Sequence, residues 1–129
     1  MQGALITQEN VSTIESEDEY FKFCSFEGLS MEGKHITSDF VQCEFSNLDC
    51  YWTLFNCANF IECDFKDCTF AGVGFPSTRF VDCHLIRCRF IRDNLDGKCD
   101  FTGAKAYGCT LEDCEGFEAP AASLSLPAS

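Results

Sequence analysis

Residues 40–95 read FVQCEFSNLDCYWTLFNCANFIECDFKDCTFAGVGFPSTRFVDCHLIRCRFIRDNL. Taken every fifth residue, the stretch gives Phe40, Phe45, Cys50, Phe55, Phe60, Phe65, Phe70, Phe75, Phe80, Leu85, Phe90 and Leu95, an unbroken apolar run. Two residues ahead of each lies a second series: Ser38, Cys43, Leu48, Thr53, Ala58, Cys63, Cys68, Val73, Thr78, Cys83, Cys88 and Asp93. Its members are mostly small. A helix repeats every 3.6 residues and a strand every two, so a period of five belongs to neither and marks a repeat architecture.

The pattern extends beyond both ends of the run after one change of register each. Upstream, Phe21, Phe26, Met31 and Ile36 keep the five-residue step, and a four-residue step then leads to Phe40. Downstream, a six-residue step from Leu95 leads to Phe101, Ala106, Leu111 and Gly116. The small series also accounts for the unusual cysteine content, because nine of the 11 cysteines (Cys24, Cys43, Cys63, Cys68, Cys83, Cys88, Cys99, Cys109 and Cys114) fall in it.

Cys43-Glu44-Phe45, Cys63-Asp64-Phe65, Cys68-Thr69-Phe70, Cys83-His84-Leu85 and Cys88-Arg89-Phe90 each place a small residue, a variable polar one and a central Phe or Leu in order. In this the chain resembles the pentapeptide-repeat family over roughly residues 19–118. The resemblance implies an all-β fold, a right-handed quadrilateral β-helix with four pentapeptides per coil and with the central and small residues pointing inward.

Coils of twenty residues make coherent columns. Every fourth repeat gives Phe21, Phe40, Phe60, Phe80 and Phe101 on one face, and Phe26, Phe45, Phe65, Leu85 and Ala106 on the next, with Cys24, Cys43, Cys63 and Cys83 beneath it. Coils a strand spacing apart, about 4.8 Å, let like rings stack, and about five coils would span roughly 24 Å.

A solenoid end exposes apolar cross-section and unpaired backbone, so caps are expected. Residues 1–18 are read as an acidic N-terminal cap or arm, in which Gly3-Ala4-Leu5-Ile6 folds over the first coil, residues 19–118 as the solenoid, and residues 119–129 as a flexible tail without repeat. No long C-terminal dimerisation helix is visible. Lys34 and Asp93 fall at inward small positions beside the register changes, which predicts distorted corners there. Asp96-Gly97-Lys98 is the expected site of a one-residue bulge.

Composition bounds the function. With 21 Asp and Glu against 9 Lys and Arg, the formal charge is -12, so a phosphate backbone is repelled and direct nucleic-acid binding is not expected. No apolar run reaches the roughly 18 residues of a membrane span, and the N-terminus lacks the basic and apolar regions of a signal peptide. No membrane partner and a cytoplasmic location are expected.

Chemistry is sparse. Cysteine pairs at C-x4-C spacing (Cys63 with Cys68, Cys83 with Cys88, Cys109 with Cys114) would occupy different faces and point into the core, where Cys packs as a small hydrophobe, so neither metal nor cofactor is expected. Cys57 lies outside the inward series and is the expected exposed thiol. His35 and His84 point outward on different faces, and no Ser-His-Asp or Cys-His set assembles, so the chain reads as no enzyme.

The outward positions are therefore the candidate site. Val41, Ile61 and Val81 form an aliphatic stripe beside Asp39, Gln42, Glu62 and Asp82; the neighbouring face adds Glu27, Glu44, Asp64 and Asp67, and Tyr51 and Trp52 project from a third. An apolar stripe rimmed by carboxylates resembles a protein interface, and Trp52 is the hot-spot candidate by residue type. Residues 1–67 carry thirteen acidic and three basic residues, while six of the basic residues lie between Arg79 and Lys105, where pairing of Arg87, Arg89 and Arg92 with neighbouring acids is expected. These features point to a non-enzymatic acidic inhibitor, an immunity protein covering the basic cleft of a toxin or nuclease. DNA-mimicking inhibitors of DNA gyrase, which the resemblance brings in, and a passive scaffold are the alternatives; the expected state is monomer or weak homodimer.

Overall fold

The computed structural model describes residues 2–9 and 20–122, with the backbone alone at 121 and 122. Among them there is no helix: two- and three-residue strands climb a four-sided β-solenoid, and each pairs in parallel with its counterpart one coil away. Face 1 stacks Tyr20–Lys22, Asp39–Val41, Asn59–Ile61, Arg79–Val81, Lys105–Tyr107 and Ala121–Ala122. Face 2 stacks Leu5–Ile6, Ser25–Glu27, Glu44–Ser46, Asp64–Lys66, His84–Ile86 and Thr110–Glu112. Face 3 holds Ser30–Glu32, Asp49–Tyr51, Thr69–Ala71 and Arg89–Ile91. Face 4 holds His35–Ile36 and Leu54–Phe55, continued by bridges from Leu54 to Gly74 and from Gly74 to Asp100.

The middle residue of each strand points inward, as the five-residue reading expects. Stacked Phe rings along a face lie 4.7–5.4 Å apart and within 5–13° of parallel, and rings on adjacent faces meet edge to face or tilted. Both geometries suit the ring quadrupole, and the narrow bore is filled without a second layer. The small residue turns inward at the corner, and its thiol or hydroxyl donates to a carbonyl one coil back: Cys63 Sγ to Phe40 O at 3.3 Å, Cys83 Sγ to Phe60 O at 3.1 Å, and Thr78 Oγ1 to Phe55 O at 2.6 Å. No buried side-chain nitrogen or oxygen lacks a hydrogen-bond partner among the described residues.

There are about four turns where the sequence suggested five, and the difference lies at the C-terminal end. Phe80 pairs with Ala106, a step of 26, whereas Phe60 pairs with Phe80 at a step of 20 and Phe21 with Phe40 at 19. The upstream four-residue step is therefore as read, but the downstream one-residue bulge is a six-residue insertion. Leu95 sits on it 77% exposed rather than in the core. Phe101 consequently stacks on Phe75 of face 4, at 5.0 Å, and Ala106 and Leu111 each move one column from the positions expected of them.

Beyond Gly116 the chain leaves the five-residue rhythm. Ala121 pairs with Ala106 only fifteen residues earlier, so the chain crosses the end of the bore without completing face 4 of a further coil. Ala106 and Gly116 contribute no ring to this layer, and Phe117 lies over the gap, its ring 5.2–5.4 Å from those of Phe80, Phe90 and Phe101. Gly116 has φ +77°, and a Cβ there would stand 2.1 Å from Phe90 O, so only glycine lets the crossing begin. The start of the expected loose tail is thus a cap; residues 123–129 lie outside the described residues. At the other end Leu5 and Ile6 pair with Ser25 and Phe26, and Ile6 is fully buried. The acidic segment 10–19 lies outside the described residues.

Candidate protein-interaction edge

The corner between faces 1 and 2 is built from Gln42, Glu62 and Asp82, all in the left-handed region at φ 51–53°, a conformation short polar side chains tolerate better than branched ones. Each is pinned by its amide donating to the next coil: Gln42 N to Ile61 O, Glu62 N to Val81 O, Asp82 N to Tyr107 O, at 2.7–2.8 Å. Two residues beyond, Glu44, Asp64 and His84 stand in register on face 2. Glu44, Glu62, Asp64 and Asp82 thereby form two carboxylate columns at strand spacing along one edge, and none of the four is in an ion pair among the described residues.

On the other side of the corner Val41, Ile61 and Val81 are half-buried and in register. Tyr107 continues their column at one end and Lys22 begins it at the other. Sequence reasoning missed Tyr107, because the unseen insertion put Phe101 in its coil. The parallel outward column reads Tyr20, Asp39, Asn59, Arg79, Lys105, and Asn59 Nδ2 donates to Asp39 Oδ1 at 2.8 Å.

Besides Asp39, three more of the expected contact residues already have intramolecular work. Asp67 accepts two hydrogen bonds from Arg87, at 2.7 and 3.1 Å, which hold its carboxyl below the usual range. Tyr51 and Trp52, with ring centroids 4.4 Å apart, are joined to the insertion. The Trp52 indole donates to Asp93 Oδ2 at 2.7 Å, while the Tyr51 hydroxyl bonds Asn94 Oδ1 and accepts from Asn94 N at 3.0 Å. Asp93 is accordingly not an inward residue at a distorted corner: its other oxygen accepts from the amides of Leu95 and Gly97, both at 2.8 Å. Lys34 is half-buried. The three arginines pair locally as expected, Arg89 with Glu115 at 2.5 Å and Arg92 with Asp96 at 3.5 Å beside the Arg87 pair.

All 11 cysteines are free, and Cys57 is the exposed one. Cys43, Cys68 and Cys83 share hydrogen bonds with neighbouring sulfurs and are desolvated by burial, both of which push their thiols well up, and burial does the same for Cys50 and Cys99. Among the described residues no group of three or more His, Cys, Asp or Glu is placed to hold a metal ion. No described helix is long and apolar enough to cross a membrane.

A filled β-solenoid with four short-stranded faces is a repeat scaffold, a fold that supports a structural or protein-interaction role. Residues 38–72 match the family of pentapeptide repeats in 8 copies, and the coils flanking that segment continue the same geometry. The family is generally a non-enzymatic structural scaffold. No curated protein matches the chain.

Proposed function

We propose that the protein is a non-enzymatic inhibitor that binds a basic protein partner, acting as an immunity protein that covers the substrate cleft of a toxin nuclease. The observation that carries this reading is the carboxylate edge of Glu44, Glu62, Asp64 and Asp82, without ion-pair partners among the described residues, on a filled rod. A cleft that binds nucleic acid is lined with cations at phosphate spacing, and a fixed array of carboxylates is steered to it and competes with the phosphates. Rigidity lowers the ordering cost of binding, which favours a solenoid over a flexible acidic tail. The side chains that carry the charge lie outside the core, so the fold tolerates their replacement.

The test is a pull-down with the full chain as bait at low and high salt, with recovered proteins identified by mass spectrometry. Recovery of a stoichiometric basic nuclease or toxin, lost when Glu44, Glu62, Asp64 and Asp82 are together replaced by Lys, supports the reading. Unchanged affinity of that variant overturns the acidic-edge mechanism. Recovery of topoisomerase subunits moves the assignment to gyrase inhibition.

A further inference from the structure

Face 1 carries its own electrostatic complement. Its outward column runs Tyr20, Asp39, Asn59, Arg79, Lys105 from one end of the rod to the other, with the acid one coil above Asn59 and the base one coil below. The second column runs Lys22, Val41, Ile61, Val81, Tyr107 in the same coils. We propose that face 1 binds a second copy of this chain, with the two rods antiparallel about a two-fold axis along the strand Asn59–Ile61.

The register follows from the symmetry. A two-fold axis along the central strand turns each face onto its partner, keeps the columns opposite themselves and reverses their order. Asp39 then faces Arg79 of the second copy, and Arg79 faces its Asp39. Val41 faces Val81, Ile61 meets Ile61 on the axis, and Asn59 meets Asn59. Lys22, now 5.0 Å from the ring centre of Phe23, faces Tyr107, an aromatic partner for a cation. Arg79 is exposed and has no ion-pair partner among the described residues, so a second copy offers it a carboxylate that its own rod does not. A parallel arrangement sets the polar column against the apolar one and loses every match. A basic cleft or a nucleic acid meets both signs of charge on this face, so neither fits it as a second copy does.

The contact is small. Three residues of strand by five stacked strands give a footprint of about 10 by 20 Å, below a standard protein interface, so the dimer is weak and concentration-dependent, with Kd on the order of 100 µM. At the rim the two Glu62 carboxylates approach as like charges in solvent, where they are screened. Glu44 and Asp64 lie on face 2 and stay uncovered, whereas Val41, Ile61 and Val81 are used in self-association. Failure to find a basic partner therefore leaves this inference standing, and a monomeric rod leaves the inhibitor reading standing.

The experiment is analytical ultracentrifugation of the full chain from about 10 µM to about 1 mM, with Asp39→Arg, Arg79→Asp and their equimolar mixture beside the wild type. Each single variant sets like charges opposite each other in its homodimer and weakens self-association at least about tenfold. In the mixture both cross pairs are again opposite, and dimer returns near the wild-type level. Circular dichroism checks that each variant folds, and Ile61→Asp, on the axis, abolishes the dimer by a second route. A wild type monomeric at about 1 mM, single variants that dimerise like the wild type, or folded variants whose mixture stays monomeric would each overturn the proposal.

Discussion

Trp52 Nε1 donates a 2.7 Å hydrogen bond to Asp93 Oδ2, 41 residues further along, across a coil that contributes only Ala71 and Gly72 to that surface. The small pair is a condition of the contact. Gly72 has φ +59°, and a Cβ on it would stand 2.4 Å from the Asp93 carboxylate oxygen. Gly72→Ala therefore meets both left-handed backbone strain and a clash, and is expected to lower stability by about 1–2 kcal/mol. Thermal unfolding measures this, and Gly28→Ala is the control, since a Cβ there meets nothing within 4 Å and shares only the backbone penalty at φ +62°. The two variants should differ, with Gly72→Ala alone also releasing the insertion.

The same carboxylate makes the insertion sensitive to acid. The Gly97 amide, then the Trp52 indole and the Leu95 amide, hold the Asp93 carboxyl below its ordinary value. A group whose folded pKa is depressed contributes its stabilisation above the unfolded value, near 3.9, and loses it as pH falls through the folded pKa. Amide exchange at Leu95 and Gly97 should thus keep the same protection between about pH 5 and 8 and lose it below about pH 4. Asp93→Asn should remove most of that pH dependence. Protection that falls in the neutral range instead would assign the effect to another group.

Thiol chemistry separates the surface from the core. Cys57 is exposed, Cys109 and Cys114 are half-buried at the last coil, and the other eight cysteines are buried. A thiol reagent added to native protein should modify one equivalent quickly and two more slowly, with the remaining eight reacting only on unfolding. Cys57→Ser removes the fast phase without changing the unfolding temperature. Cys63→Leu, by contrast, forces a branched side chain into a corner whose coils lie a strand spacing apart, at a cost of about 1–3 kcal/mol.

Most of the solenoid was legible from residues 40–90, because a central Phe and a small corner residue recur at a period no other backbone uses. The insertion was not legible, for a reason of arithmetic: six added residues and one added residue shift a five-residue repeat by the same phase. Leu95, apolar and five residues after Phe90, satisfied the pattern from a loop. Only backbone pairing separates the two cases, and it moves Phe101 to face 4 and brings Tyr107 into the stripe. The carboxylate edge was legible because it sits within intact coils. The engagement of Tyr51 and Trp52 was hidden because their partners belong to the misread insertion.

Phe117 gives the sharpest test of the corrected end. It falls outside the repeat, follows Gly116 and precedes the Pro120 segment, so periodicity gave it no role, yet its ring touches those of Phe80, Phe90 and Phe101. Those rings end three columns, and without Phe117 their apolar faces meet water. Phe117→Ala removes the plug while leaving the crossing backbone and its pairing of Ala121 with Ala106 in place. A partly buried ring lost at an end costs about 2 kcal/mol, less than the roughly 3–5 kcal/mol of a fully buried Phe such as Phe80. Leu95→Ala, at an exposed loop position, should change stability by less than about 0.5 kcal/mol. Urea unfolding of the three variants orders them Phe80→Ala, Phe117→Ala, Leu95→Ala from most to least destabilised. If Leu95→Ala proved costly and Phe117→Ala neutral, the uninterrupted five-residue register would be right and the crossed end wrong.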